Sequence, residues 1–142
     1  MKKYKIGYTQ GTFDMFHIGH LNLLHQAKDL CEQLIVGVNR DHLVSEYKHK
    51  VPVVNEQDRA AIVGEMRCVD RVVLCETLSK TEAWQQLHFD AVFIGSDWKG
   101  NERWKQTETD LKPLGAEVVY LQHTEGVSSS LLREKESNKI ID

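Results

Sequence analysis

Short apolar runs suited to buried strands alternate with amphipathic stretches of helical period along the chain, and that alternation restricts the fold more than composition does. "KIGYT" (5–9) and "QLIVGV" (33–38) read as strands. Residues 21–30 between them read as a helix, with Leu23, Leu24, Ala27, Leu30 and Cys31 as its apolar stripe. After a polar loop over 39–54, Asn55 is positioned to cap a helix reaching residue 66, with Asp58 three residues on. "RVVL" (71–74) is a third strand, and "SKTE" (79–82) has capping-box spacing and opens a helix ending near residue 87. Residues 90–94 form a fourth strand, 101–114 a helix stopped by Pro113 and Gly115, 117–121 a fifth strand and 128–136 a last helix. The pattern predicts an α/β fold: a parallel five-stranded sheet with right-handed crossovers and helices on both faces. With 142 residues and no repeat or linker, one domain over 1–142 is expected.

Charge and cysteine content narrow the classes of partner. Eighteen Lys and Arg against 21 Asp and Glu leave a net charge of −3, so no overall basic field draws nucleic acid or a membrane surface. No run approaches the ~20 apolar residues of a membrane span. Cys31, Cys68 and Cys75 form no C-x-x-C pair and sit in apolar runs, which suits buried free thiols in a reducing cytoplasm.

In a parallel sheet ligands bind beyond the carboxyl ends of the strands, at the switch point of strand order. Three polar clusters fall at such ends: 11–20, 95–100 and 122–130. The first, "GTFDMFHIGH", joins a strand to a helix. If the helix starts at 17–19, its first N–H groups make an anion site before any side chain contributes. His17 and His20, at i and i+3, share one helical face and can aim two ring N–H groups at one phosphate. Gly19 leaves room for that phosphate and Gly11 permits a tight turn. A capping role or half of a metal site also accounts for the pair, but the spacing is not H-E-x-x-H and no third ligand is evident.

"GTFDMFHIGH", "RCVD", "GSDW" and "TEGVSSS" together resemble the signatures of the small cytidylyltransferases of the HxGH nucleotidyltransferase superfamily, the glycerol-3-phosphate cytidylyltransferases nearest among them. The resemblance runs from residue 8 to 133 in order and spacing. It implies a Rossmann-like sheet, a homodimer, and transfer of CMP from CTP to a small phosphorylated alcohol with release of pyrophosphate. It also implies that backbone groups at Thr12 and Phe13, with His17 and His20, hold the CTP phosphates. Attack by an already ionised acceptor phosphate needs positioning and charge stabilisation, with no covalent intermediate and no strong base. Mg2+ would arrive on the nucleotide phosphates without a dedicated protein site, with Asp14 reaching it at most through water.

"EYKHKVP" resembles the family's K-x-K loop, which implies one lysine facing the acceptor, Lys48, and one facing the nucleotide phosphates, Lys50. A solvated loop is the plainer account, yet bringing two polyanions together requires such cations. Lys80, in a first helical turn where the dipole disfavours a cation unless an anion lies between, matches a family position for the acceptor phosphate; a solvated lysine is the other account. Arg59 and Arg67 match arginines near the acceptor site and the subunit contact; surface salt bridging is the other account. Asp97 is set to accept hydrogen bonds from a ligand, and Trp98 is a flat wall or a core residue. In "HTEGVSSS", the resemblance implies that His123, Thr124, Glu125, Gly126, Val127, Ser128, Ser129 and Ser130 cradle the β- and γ-phosphates, as hydroxyls and free N–H groups at a helix start can.

The chain departs from the family at His123, where arginine is usual. "SSSLLR" meanwhile is similar to the S-S-T-x-x-R pattern of adenylyltransferases. Either Arg133 supplies the missing charge or the nucleotide is not CTP. Three readings follow: a CTP-dependent enzyme for glycerol 3-phosphate; the same chemistry with ATP or another acceptor, phosphocholine included; and a nucleotide-binding module without turnover. A phosphocholine acceptor would want an aromatic cage, for which Tyr47, Trp84, Trp98 and Trp104 are available.

Overall fold

The computed structural model of the chain describes residues 2–122. Strand β1 (Tyr4–Gly11) is followed by α1 (Ile18–Leu30), β2 (Cys31–Asn39), α2 (Asp41–Lys48) and α3 (Glu56–Gly64). Then come β3 (Arg71–Cys75), α4 (Lys80–Leu87), β4 (Ala91–Gly95), a 3-10 turn at Ser96–Trp98, α5 (Glu102–Leu111) and β5 (Glu117–Leu121). All strand pairs are parallel, in the order β3-β2-β1-β4-β5. The expected α/β fold with a Rossmann-like five-stranded parallel sheet is therefore what forms. The expected helix over 128–136 lies outside the described residues.

Alternation along the strands builds two cores. Leu34, Val36 and Val38 of β2, with Ala91 and Phe93 of β4, pack one face against Leu24 and Ala27 of α1 and Val63 of α3. Ile35 and Val92 face the other way, with Tyr8, Phe89, and Trp104 and Leu111 of α5. Leu24 is fully buried, and burial of such a side chain contributes about 1.5–3 kcal/mol. Cys31 and Cys68 are buried free thiols as expected, but Cys75 is only half-buried, its Sγ 3.3 Å from the Tyr8 hydroxyl.

The polar stretch over 39–54 is not all loop. Eight of its residues form α2, which buries only Leu43 and Val44. Helix α3 starts where its cap signal sits: the Asn55 side chain accepts from the Asp58 N–H at 2.9 Å. Ser79 likewise caps α4, accepting from the Glu82 N–H.

Strands β1 and β4 lie side by side at the switch point but pair only at Gly7–Ala91 and Tyr8–Val92. Beyond that, the Thr9 hydroxyl rather than its backbone reaches the Phe93 carbonyl, at 2.9 Å. The two strands part toward their carboxyl ends, and the loop from β1 to α1 opens there.

Candidate active site

The loop leaving β1 turns by backbone strain rather than by glycine. Phe13 and Met15 take positive φ of 55° and 49°, a conformation that costs a non-glycine residue about 1–3 kcal/mol. Gly11, expected to supply the turn, instead makes room: a Cβ there would stand 3.1 Å from the Phe13 ring. Phe13 is buried and lies edge-on to His20, with Phe16 against the same imidazole.

Helix α1 begins three residues earlier than its apolar pattern indicates, because its two histidines cap it reciprocally. His17 Nδ1 accepts the Gly19 N–H at 3.0 Å, and His20 Nδ1 accepts the His17 N–H at 3.2 Å. The rings stack with centroids 3.9 Å apart. With both Nδ1 atoms accepting, each neutral ring carries its proton on Nε2, which remains free to donate. Burial lowers the His17 pKa. Burial first, then the His17 ring and the Lys48 charge, hold His20 at about 4. Two neutral donors therefore stand at the positive end of a helix, and two of the helix-start N–H groups expected to bind anion directly are taken by the imidazoles themselves.

A hydrogen-bonded chain crosses the carboxyl ends of three strands beside this loop. Tyr8 OH donates to Gln10 Oε1 (2.9 Å), and Gln10 Nε2 donates to Asn39 Oδ1 (2.8 Å) and the Thr77 carbonyl (2.9 Å). Asn39 Nδ2 donates to Tyr47 OH (3.1 Å), which lies 3.0 Å from Thr12 Oγ1. Thr12, expected at the nucleotide, is thereby fixed from α2. Lys48 and Lys50 are both exposed, and Lys48 Nζ lies 5.6 Å from the Tyr47 ring centroid.

Arg59 and Asp14 are each held within the fold by several hydrogen bonds. Arg59 was expected near the acceptor, or at the surface in a salt bridge; its side chain is fully buried. Nε donates to the Val54 carbonyl (2.8 Å), one terminal nitrogen to the carbonyls of Thr12 (2.7 Å) and Asn39 (2.8 Å), and the other pairs with Asp41. Arg67 is exposed. Asp14, considered for the metal, is buried, and its carboxylate oxygens accept the N–H groups of Val53 (2.8 Å) and Val54 (2.9 Å). No cluster of three metal-binding side chains exists among the described residues.

On the β4 side, Gly95 ends the strand, and a Cβ there would stand 2.6 Å from Asp97 Oδ1. Trp98 is 41% exposed and so not a core residue, and the Arg103 guanidinium lies 5.9 Å from its ring. Lys80 is buried to 8% exposure, donates to the Leu78 carbonyl at 2.7 Å and lies 5.3 Å from the Trp104 ring. Burial, then the Arg103 charge, lowers its pKa to about 8. The two cations border a cavity of about 250 Å3 between α4 and α5, with Ser79, Thr81, Thr107 and the carboxylate of Asp110. Arg103 and the Gln10–Asn39–Tyr47 chain were not foreseen from the sequence. Asn101, which caps α5 through the Arg103 and Trp104 N–H groups, was the available signal for Arg103.

The expected site residues His123, Thr124, Glu125, Gly126, Val127, Ser128, Ser129, Ser130 and Arg133 lie outside the described residues. No described helix is long and apolar enough to cross a membrane.

The chain is 36% identical over 132 residues to the bifunctional protein HldE of Helicobacter pylori strain P12, covering 92% of this chain but 27% of that protein. The HldE proteins it resembles are thus several times longer, the chain spanning about a quarter of their length or less. It is 38% identical over 127 residues to the FAD synthase of Korarchaeum cryptofilum, covering 87% of this chain and 86% of that enzyme. Among solved structures, the lipopolysaccharide core biosynthesis protein of Thermoplasma volcanium superposes with a TM-score of 0.74 at 25% identity, covering 86% of this chain and 99% of that one. The model of the cytidylyltransferase-like family matches residues 8–135, and on that match, with the histidine loop seated at the switch point of a parallel sheet, the chain belongs to the cytidylyltransferase-like family of nucleotidyltransferases.

Proposed function

We propose that the protein transfers a nucleotidyl group from a nucleoside triphosphate to a small phosphorylated alcohol. CTP and glycerol 3-phosphate form the leading pair, and CDP-glycerol and pyrophosphate the products. The observation that carries this reading is the neutral histidine pair presenting two Nε2–H donors at the start of α1. An acceptor phosphate oxygen attacks the α-phosphorus in line; the new P–O bond forms as the bond to the β-phosphate oxygen breaks, and pyrophosphate leaves. Charge accumulates on the equatorial oxygens, where His17, His20 and the Thr12–Phe13 backbone are suited to receive it. Lys50 faces the leaving phosphates and Lys48 the acceptor. Lys80 holds the acceptor phosphate beside Trp98, and Asp97 accepts from the nucleotide. His123 to Ser130, with Arg133, complete the triphosphate cradle.

The family generally uses a divalent metal with its nucleotide. Here the metal is proposed to be Mg2+, carried by triphosphate oxygens and water, since the Asp14 oxygens already accept two backbone N–H groups. The same reading includes a homodimer.

A phosphocholine acceptor is disfavoured by the four aromatic rings that might have caged it. Tyr47, Trp98 and Trp104 already carry Lys48, Arg103 and Lys80 on their faces. Trp84, in the middle of α4, packs on His88 and donates to the Phe89 carbonyl, which occupies its indole N–H. Rings that already carry cations on their faces suit an anion better than a quaternary ammonium.

ATP in place of CTP is the second reading. It is favoured by His123, by "SSSLLR", and by the relative named FAD synthase, since FAD contains an adenylyl group joined to a phosphorylated polyol chain. Pyrophosphate release is the test, with CTP or ATP against glycerol 3-phosphate, other polyol phosphates and phosphocholine, with and without excess chelator. Turnover with CTP and a polyol phosphate, lost in chelator, is expected. Turnover with ATP alone would replace the donor, and nucleotide binding without release from any pair would leave a binding module.

A further inference from the structure

The lysine-bearing segment 48–52 is tied to the phosphate loop at both of its ends. At its start, Tyr47 OH meets Thr12 Oγ1 at 3.0 Å. At its end, the Asp14 carboxylate takes the N–H groups of Val53 and Val54 at 2.8 and 2.9 Å. Arg59 spans the two, donating to the Thr12 carbonyl on one side and to the Val54 carbonyl on the other. It also holds the end of β2 through the Asn39 carbonyl and pairs with Asp41 at the start of α2. Between these ties, His49 reverses the chain with a positive φ of 57° and Pro52 is buried. Few degrees of freedom remain to the five residues that carry Lys48 and Lys50.

We propose that Asp14 and Arg59 are positioning residues: with Tyr47 they join the phosphate loop and the lysine segment into one rigid unit, so that Lys48 and Lys50 face the same phosphates as His17 and His20. The physical reason is that a cation on a free loop is screened and pays ordering entropy when it meets a phosphate, whereas one held in place does not. A fully buried guanidinium saturated by carbonyls from three separate segments is expensive to build, and one whose only task was stability could be replaced by apolar packing. Its cost is understandable where relative placement of those segments decides the chemistry. The proposal rests on the transferase reading for what the unit holds, but not for how the unit is built.

A double-mutant cycle tests it. Asp14→Asn keeps size and shape but cannot accept both N–H groups. It is combined with Lys50→Ala, and binding of inorganic tripolyphosphate is measured by calorimetry, beside pyrophosphate release. Asp14→Asn alone should weaken tripolyphosphate binding about tenfold, but by less than about twofold once Lys50 is gone, because coupled residues do not add. Equal factors in both backgrounds would overturn the proposal, since Asp14 would then act on the fold or the histidines alone. Arg59→Lys, which keeps the charge but loses the fork that spans two carbonyls, runs the same cycle if Asp14→Asn does not fold. Coupling in binding without turnover from any substrate pair would sink the transferase reading and leave the rigid unit standing. Failure of the native chain to bind tripolyphosphate would overturn both.

Discussion

His17 and His20 use the two nitrogens of imidazole for different ends. Nδ1 closes the start of α1, and Nε2 is left for a ligand. This explains a motif that neither a serine cap nor a lysine could replace: serine would cap without reaching out, and lysine has no acceptor. It also fixes a pH dependence. His20 ionises at about 4 in the fold against 6.5 when unfolded, chiefly because burial among Phe13 and Phe16 disfavours its charge. Between those values the unfolded chain binds the extra proton, so stability is whole above pH 6.5 and is lost as pH falls toward 4. The loss should be on the order of 1–3 kcal/mol. Thermal melts from pH 7 to 4 should show it, and His20→Ala should remove most of that slope. The same substitution should cost about 1 kcal/mol at pH 7 as a lost cap, and lower kcat by roughly 10²–10³ as a lost transition-state donor. An unchanged kcat beside a lower melting temperature would reduce the histidine to its capping role.

The α4–α5 pair makes a cleft of a different kind, lined by Lys80 and Arg103 together with the Asp110 carboxylate. Lys80 is buried, yet the groups that set its ionisation are burial, Arg103 and the Cys75 thiol, and none is a carboxylate. An acceptor phosphate monoester is already a dianion above pH 7, since its second pKa is about 6. Any change in its binding through pH 8 therefore reports Lys80. The acceptor KM should be flat below pH 8 and rise above it, as the free enzyme loses the Lys80 proton. Arg103→Ala should move the inflection upward by removing a repelling charge, and Lys80→Arg should flatten the profile. A flat native profile from pH 7 to 9.5 would exclude Lys80 from the acceptor. Elements with strong local signals were legible beforehand: the five strands, the Asn55 and Ser79 caps, and the strand–loop–helix around the histidines. Helix α2 was not, because eight residues burying only Leu43 and Val44 give too little periodicity to stand out from charged loop. Arg59 was placed near the site, but its role was hidden, because its partners are backbone carbonyls of Thr12, Asn39 and Val54 that leave no trace in side-chain pattern. The tight turn was assigned to Gly11 although Phe13 and Met15 carry it, a choice that only buried packing of the Phe13 ring makes affordable.

Across the whole molecule, side chains of opposite character meet on one short segment. Lys48 and Lys50, proposed to meet a ligand, are exposed, while Val51 and Val53 are 73% and 64% exposed beside them, and Ile62 of the following α3 is 42% exposed. Pro52 between the valines is buried, so the segment turns its two valines outward together. The two valines, with Ile62 elsewhere on α3 also exposed, are apolar surface that the proposed homodimer would cover, polar surface adding toward the ~800 Å2 per partner of a standard interface. Their position joins assembly to chemistry. The Val53 N–H is one of the two held by Asp14, so a partner packed on the valines would bear on the same tie that positions the segment carrying Lys50. Sedimentation should then show a dimer at micromolar concentration. Ile62→Lys and Val53→Lys leave the backbone N–H groups and the buried cores untouched, so each should give a folded monomer with an unchanged melting profile at low concentration. Activity per chain should fall on dilution of the native protein and start low in the variants, with the deficit erased in a Lys50→Ala background. A native chain that sediments as a monomer at tens of micromolar, or an Ile62→Lys variant that still dimerises, would put the interface elsewhere or nowhere. A dimer whose dissociation leaves activity per chain unchanged would keep the interface but cut its link to the lysine segment.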